Sequence, residues 1–449
     1  MDNLLELKEF EFITDNDEYR DEHDQRIHFL NQEKFKELDE FVRRQNGEKE
    51  DVDALDFFKS FSKRGVGNVI QARNYVGLVQ LESGFQVQIL PKIDMVDETN
   101  ENHSTRHVLI DMLRCMKDFP GKIFTTANLR TESMNLYEIF INMYVVQVSE
   151  LTKRGLKSTY VNTEDNLSVY KGKLIFNKHI KANLAHEERF YVSYDEYSQN
   201  RAENRLIKAT LLKLQRLSTS SNNLKLIRQL LTYFELVDVS VNYDKDFAKV
   251  VIDRNTKDYE SIMEWSKVFL TNKSFSTFSG DRKARALLFP MEKLYESYVA
   301  QKMEYIFAEV DLDVSVQDRK YHLFKEDKRE VFGLQPDIVV STIDTHTKKF
   351  RPFVIMDTKW KRLYDSPDNN YGISQADMYQ MFAYSKKYDV KNIWLLYPFV
   401  EELRNHEPIV FRDGDKTEVN IFFVNVANIE ESIRELLNRV QNQFEELMV

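Results

Sequence analysis

The feature that most constrains this chain is a pair of short apolar runs, each with an acidic residue at one end. The first is Pro336-Asp337 followed by IVVST. The second is FVIMDTK, residues 353–359. Runs this rich in Val and Ile, separated by the polar turn Asp344-Thr345-His346-Thr347, predict two adjacent strands over 331–342 and 350–360. Side chains alternate along a strand, so Phe353, Ile355, Asp357 and Lys359 share one face. A carboxylate and an ammonium two residues apart on an apolar strand are costly to bury unless they are paired or used. Nineteen residues separate Asp337 from Asp357. If the two strands pair through the turn, their carboxylates converge.

The surrounding pattern predicts an α/β core. Residues 291–307 carry Leu294, Tyr295, Tyr298, Val299, Met303 and Ile306 at helical spacing. Ser374 with Asp377 reads as a capping box opening a helix to about Tyr388. Residues 392–397 and 420–426 are strand-like. A final helix starts near Asn428 and Glu431, with Ile429, Ile433, Leu436, Val440 and Phe444 on one face. Helix, strand pair, helix, strand, strand, helix implies a mixed sheet covered by helices. Upstream, 33–42 predicts a helix through Phe35, Leu38 and Phe41, and 69–80 predicts a strand. Phe85, Val87 and Ile89 alternate with Gln86 and Gln88 as a half-buried strand after Gly84. The polar stretch 96–105 is the best linker. From His107 to about residue 272 the pattern is mainly helical. It is interrupted over 160–194 by a hairpin or long loop and at 219–223, TSSNN. The expected organisation is multidomain α/β: an N-terminal β-containing domain over 1–98, a mainly helical middle domain over 99–280 and an α/β domain over 281–449.

Composition narrows the function. At about 150 residues per domain, 449 residues suggest about three domains. The net charge of −10 argues against a general nucleic-acid coat and admits a DNA enzyme only through local basic clusters. Lys348, Lys349, Arg351, Lys359, Lys361 and Arg362 form one. A single cysteine, Cys115, rules out an internal disulfide and a cysteine-rich zinc site. No signal peptide and no apolar run of membrane-spanning length is visible, so a reduced, cytoplasmic protein without a membrane partner is expected. Gly121-Lys122 and Gly172-Lys173 lack the following Ser or Thr and the preceding Gly of a phosphate loop. If the work of this protein needs a nucleotide-driven motor, another chain supplies it.

Two converging carboxylates make an oxygen site for Mg²⁺ (or Mn²⁺), a cation that also retains waters. Such a metal activates water and polarises a phosphodiester, and a nearby Lys offsets the charge that builds in the transition state. Asp337, Asp357 and Lys359 are therefore the expected catalytic set, with Asp337 and Asp357 as metal ligands. The plainer reading, a strand-initiating Asp and a surface Asp–Lys pair, does not explain the apolar run before Asp357. Glu296 lies four residues after Glu292 on one helix face and is a candidate further ligand; the plainer reading is a solvated stripe beside Lys293. Gln380 and Tyr384, also four apart, are candidates to face the site or the DNA backbone, with Lys361 and Arg362 as further backbone contacts. Ordinary helix surface is the alternative for the Gln–Tyr pair.

These residues resemble the PD-(D/E)xK nucleases of the RecB-like branch, in which a Q-x-x-x-Y pair follows the D-x-K strand. More narrowly, the chain resembles the McrC family, the nuclease subunit of McrBC modification-dependent restriction systems. Besides the nuclease motif, Tyr75-Val76-Gly77 with Ile89-Leu90-Pro91-Lys92, the stretch EDNLSVYKGKL from Glu164, Asn204-Arg205-Leu206-Ile207-Lys208 and Leu294-Tyr295-Glu296 carry the resemblance, in order, across about 65–400. It implies a PD-(D/E)xK core in 281–449 and Mg²⁺-dependent cutting of modified (methylcytosine) double-stranded DNA. It also implies docking on a McrB-like AAA+ GTPase hexamer whose GTP hydrolysis the subunit stimulates. Residues 160–194 are the candidate docking region. Two alternatives remain open: a stand-alone PD-(D/E)xK repair or recombination nuclease, and a non-cutting adaptor of a GTPase ring. The intact acidic pair and lysine weigh against the adaptor, and the 280 residues ahead of the motif weigh against a minimal nuclease.

Overall fold

A strand that is apolar on both faces has to be covered on both faces, and this decides how the N-terminal sheet is completed. The computed structural model describes residues 4–20, 26–47, 57–93, 105–116, 135–254, 256–271, 285–327, 329–343, 350–404, 406–414 and 416–448. The linker expected at 96–105 falls almost wholly outside them. So do the turn at 344–347 and the lysines Lys348 and Lys349. In chain order the first elements are β1 (Leu4–Lys8), β2 (Phe12–Thr14), β3 (Ile27–Phe29), α1 (Gln32–Gly47), β4 (Phe58–Lys63), β5 (Gly67–Ala72), β6 (Tyr75–Gln80), β7 (Gln86–Leu90) and α2 (Thr105–Cys115). The single strand expected over 69–80 is two, and they belong to different sheets. β5 lies in the order β3-β2-β5-β4, while β6 sits between β7 and a strand from far along the chain.

That distant strand is β11, Arg285–Pro290, which runs antiparallel to β6 from Arg285↔Gln80 to Pro290↔Tyr75. The two backbones approach closely at Gly77, whose φ is 131°. A Cβ there would lie 2.0 Å from the Leu287 carbonyl oxygen, so the position takes only glycine. Gln88 on β7 was expected to face water. It is fully buried and donates to Glu6 on β1 at 2.6 Å, because β1 and β7 pair in parallel and the sheet is covered on both sides.

The chain divides into two compact units, residues 1–119 with 283–449, and residues 120–282. The boundary expected at 98 is therefore not where compactness divides the chain. β11 completes the N-terminal sheet, and α2 packs against the long helix that follows β11.

The second unit contains α3 (Leu136–Arg154), β8 (Thr159–Leu167), β9 (Lys173–Leu174), α4 (Phe176–Asn183), β10 (Phe190–Ser198), α5 (Ala202–Leu217), α6 (Ser221–Tyr233), α7 (Tyr243–Phe247) and α8 (Glu260–Thr271). The hairpin expected over 160–194 is a three-stranded sheet, β8-β10-β9, with α4 against it. The break at 219–223 holds a buried carboxylate. Glu138 accepts hydrogen bonds from Ser218 Oγ at 2.7 Å, Thr219 N at 2.6 Å and Asn223 Nδ2 at 2.8 Å, which offsets its desolvation.

In the first unit the chain continues from β11 through α9 (Met291–Ala308), β12 (Asp313–Val316), β13 (His322–Glu326), β14 (Arg329–Gly333), β15 (Ile338–Ile343), β16 (Phe350–Thr358), α10 (Gln375–Tyr388), β17 (Asn392–Pro398), β18 (Val410–Arg412), β19 (Glu418–Val424) and α11 (Ile429–Met448). Among the described residues these form a six-stranded sheet, β12-β15-β16-β17-β19-β18. β16, β17 and β19 are parallel, and the other pairings are antiparallel. The mixed sheet expected from the element order is present. The strand expected over 331–342 divides at Leu334–Asp337, since Pro336 has no amide to continue a ladder. Met381, Tyr384 and Tyr388 of α10 cover one face over Ile355, Ile393 and Leu395. α9 packs on β16 and α11 on β19.

Candidate active site

β15 and β16 carry the two carboxylates together. They pair antiparallel with Ile338 opposite Met356, so the register continued by one residue sets Asp337 opposite Asp357. Asp337 Oδ2 accepts from the Thr358 amide at 2.8 Å and from Thr358 Oγ1 at 2.7 Å, which fixes its carboxylate against the end of β16. Asp357 is 1% exposed. Its Oδ2 lies 2.7 Å from Lys359 Nζ yet receives no directed hydrogen bond. Burial, then the neighbouring Asp337 charge, pushes the Asp357 carboxyl up to about 7 against the pull of Lys359. Burial also raises Asp337, against the Thr358 hydrogen bonds. Burial works to lower Lys359, but its contact with Asp357 and the charges of Asp357, Asp377 and Asp337 together outweigh it and hold the ammonium above its ordinary value. Two acids that resist ionising side by side, with one buried oxygen lacking a directed donor, form a site that is completed by positive charge.

α10 supplies the third wall. Lys359 Nζ donates to Gln380 Oε1 at 3.2 Å, Gln380 Nε2 donates to Tyr384 OH at 2.7 Å, and Tyr384 OH donates to the Gln335 carbonyl at 2.9 Å. The Gln–Tyr pair is thus not ordinary helix surface. It connects the lysine to the residue two before Asp337. Asp377, read in the sequence only as a helix-capping residue, also stands 3.5 Å from Lys359 Nζ. Its signal was present, because 377, 380 and 384 recur at helical spacing on one face.

The remaining candidates sit further out. Glu296 on α9 accepts a hydrogen bond from Gln317 Nε2, and Gln317 Oε1 accepts from Gln335 Nε2 at 2.6 Å. Glu296 therefore reaches the site through Gln317, whose backbone amide donates to the Asp337 carbonyl at 2.8 Å. Among the described residues no group of three or more His, Cys, Asp or Glu is arranged to hold a metal. Lys361 donates to the Gly372 carbonyl and Arg362 pairs with Glu402 at 3.2 Å, so both engage the segments that follow β16. Sequence reasoning missed one more partner. Glu9, just past β1, is fully buried and accepts the Trp360 indole N–H on both oxygens, at 3.2 and 3.1 Å. Residues 351 apart give no local signal of contact.

The donor set suits a hard divalent cation. Asp337 and Asp357 offer carboxylate oxygens from adjacent strands, the donor type that Mg²⁺ takes together with water. Lys359 now neutralises Asp357 where such a cation would bear on it.

Residues 70–398 match the family model described as McrBC 5-methylcytosine restriction system component. In fold, the chain is similar to a chain of the refined half-complex from a tetradecameric assembly of Thermococcus gammatolerans McrB AAA+ hexamers with bound McrC. The TM-score is 0.66 at 20% identity, covering 97% of this chain and 100% of that one. A chain of the cryo-EM structure of the Thermococcus gammatolerans McrBC complex is similar at a TM-score of 0.45 and 21% identity, over 66% of this chain and 85% of that one. Curated protein sequences give no match. Among the described residues no helix is long and apolar enough to cross a membrane.

Proposed function

The chain belongs to the McrBC family of 5-methylcytosine restriction system components, and from that premise we propose that it is the DNA-cutting, McrC-type subunit. In this reading it is a Mg²⁺-dependent endonuclease acting on modified double-stranded DNA in the cytoplasm, docked on a McrB-like AAA+ GTPase ring whose GTP hydrolysis it stimulates. The observation that carries the reading is the buried Asp337–Asp357 pair with Lys359 at 2.7 Å from Asp357.

Asp337 and Asp357 would hold the cation, Mg²⁺ or Mn²⁺. When bound, it supplies Lewis acidity to the scissile phosphate and lowers the pKa of the attacking water. Lys359, released from Asp357, turns its ammonium to the phosphate and offsets the charge developing there. Gln380 keeps that ammonium aimed through its acceptor oxygen, and Tyr384 holds Gln380 in place through its hydroxyl. Thr358 orients Asp337 with two donors. Glu296, hydrogen-bonded to Gln317, borders the site and would hold water near the bound cation. Lys361 and Arg362 are suited to the DNA backbone alongside the cut.

No phosphate loop is legible in the sequence, which agrees with a separate motor. The docking surface is assigned to the middle region. Phe176, Ile180 and Leu184 lie at helical spacing along and just past α4, exposed at 68, 59 and 84%. An exposed apolar stripe of this kind suits a protein partner. The test is reconstitution. The chain with its cognate GTPase ring should linearise a cytosine-methylated plasmid in Mg²⁺ and leave an unmethylated one intact, and EDTA should abolish cutting. Cutting that persists undiminished in EDTA would overturn the metal-dependent reading.

A further inference from the structure

Between β12 and β15 the chain leaves the sheet as the two-stranded hairpin β13–β14 and returns at Asp337. The base of the hairpin is fastened to the active site. Gln317 N donates to the Asp337 carbonyl and Leu334 N to the Tyr321 carbonyl, both at 2.8 Å. Tyr321 and Leu323 pack on the core under α10. From His322↔Gly333 the strands run out to Glu326↔Arg329, a reach of about 14 Å at about 3.4 Å per residue.

The outer part carries Phe324 and Phe332, 65% and 69% exposed. Strand alternation would separate them. Phe324 is opposite Val331, so Phe332, one residue on, would share a face with Leu323. Phe332 instead holds a left-handed φ of 59°, and the two rings meet edge to face with centroids 6.2 Å apart. A bulky residue adopts that backbone at a cost, and such strain gathers where function needs it. Here it brings two large rings together in water, beside an open hollow of about 740 Å³ along the hairpin. The charge alongside is positive. Residues 319–333 contain five Lys or Arg and three Asp or Glu, in a chain whose net charge is −10. Lys325 pairs with Glu330 at 3.2 Å, whereas Arg319 and Arg329 have no ion-pair partner among the described residues.

We propose that this hairpin is a DNA wedge: Phe324 and Phe332 enter the base stack of the duplex at the active site, and Arg319 and Arg329 hold the flanking phosphates. The proposal rests on the nuclease reading above and deepens it. Local positive charge on an acidic protein complements phosphate, and exposed rings stack on bases regardless of sequence. Apolar side chains inserted at a base step unstack it and kink the duplex. A kink bears directly on this site, since Asp357 is 1% exposed and a straight duplex has to be brought down to it. At about 3.4 Å per base pair the tip lies roughly four base pairs from the hairpin base.

The test uses the full chain in EDTA with a duplex carrying 2-aminopurine at successive positions. Wild type is expected to raise the fluorescence at one or two positions, as a base loses its stacking partner. Phe324→Ala with Phe332→Ala should abolish that rise and weaken duplex affinity about ten-fold or more, and Phe332→Tyr should retain it. Arg329→Ala should lower the slope of log K against log salt by about one. Unchanged fluorescence and affinity in the double Ala variant, with wild type still binding DNA, would overturn the wedge alone. So would a double variant that keeps its DNA affinity but no longer binds the GTPase ring, since the rings would then face protein. A wild-type chain that neither binds duplex DNA in EDTA nor cuts it in Mg²⁺ with its GTPase ring would overturn the nuclease reading and the wedge with it.

Discussion

Glu9 joins the N-terminal sheet to the segment just past β16, and replacing it by Gln has a consequence whose size follows from burial. Glu9 is 0% exposed, accepts the Trp360 indole N–H on both oxygens, and takes the Lys92 amide at 3.1 Å. Trp360 follows Lys359 in the chain and lies on Tyr295, with ring centroids 5.2 Å apart. Burial pushes the Glu9 carboxyl from 4.5 up to about 8. The Lys92 amide, Trp360 and the Lys92 charge oppose this, and the Glu292 charge adds to it. A carboxyl raised in the folded state binds its proton more tightly folded than unfolded. Its contribution is therefore fully present below pH 4.5 and is lost as pH rises to about 8. Each pH unit in that window costs about 1.4 kcal/mol, about 5 kcal/mol in all. Glu9→Gln keeps an acceptor for Trp360 and removes the titration. Urea unfolding followed by tryptophan fluorescence should give two proteins within about 1 kcal/mol at pH 4.5, with the variant more stable by several kcal/mol at pH 8.5. Parallel stability curves across that range, or a variant weaker at high pH, would refute the buried-acid argument.

Other consequences concern the site itself. Lys359→Ala should reduce cutting by about 10²–10³, or roughly 3–4 kcal/mol of transition-state stabilisation, and leave stimulation of the ring's GTPase intact. Loss of both activities together would mean that the nuclease core is part of the motor interface. Tyr384→Phe removes the hydroxyl that joins Gln380 to the Gln335 carbonyl. It should cost about 1–2 kcal/mol of stability, measured by denaturant unfolding, and slow cutting more than it weakens DNA binding; unchanged cutting would show that the tie is only structural. The purified chain should hydrolyse neither GTP nor ATP, and a phosphate-release assay showing intrinsic turnover would contradict the division of labour.

What could be read in the sequence was local. The period of two along β16 set Asp357 and Lys359 on one face, and their isolation on an apolar strand marked them as paired or used; they are paired at 2.7 Å. The spacing of four on α10 set Gln380 beside Tyr384. The span of the resemblance, about 65–400, coincides closely with the matched 70–398. What escaped was long-range. Gln317 reaches Gln335, and Glu9 reaches Trp360 across 351 residues, with no periodicity to announce either. β11 lies where the sequence pattern announced no element, yet it completes a sheet begun about two hundred residues earlier. Gln88 followed the rule for a solvent-facing position and was buried because Glu6 supplies its partner. Pro336 did mark the break between β14 and β15, and the run 331–342 was read through it.

Asp337 and Asp357 are proposed to hold, together, the cation that DNA cleavage requires. The most direct test is Mg²⁺-dependent cleavage of methylated duplex by the ring-bound chain carrying Asp357→Ala, beside wild type and with circular dichroism to show that the fold survives. The expected result is loss of cleavage with GTPase stimulation unchanged. Full cleavage by Asp357→Ala would contradict the account, because among the described residues Asp357 is the carboxylate opposite Asp337 in the β15–β16 register.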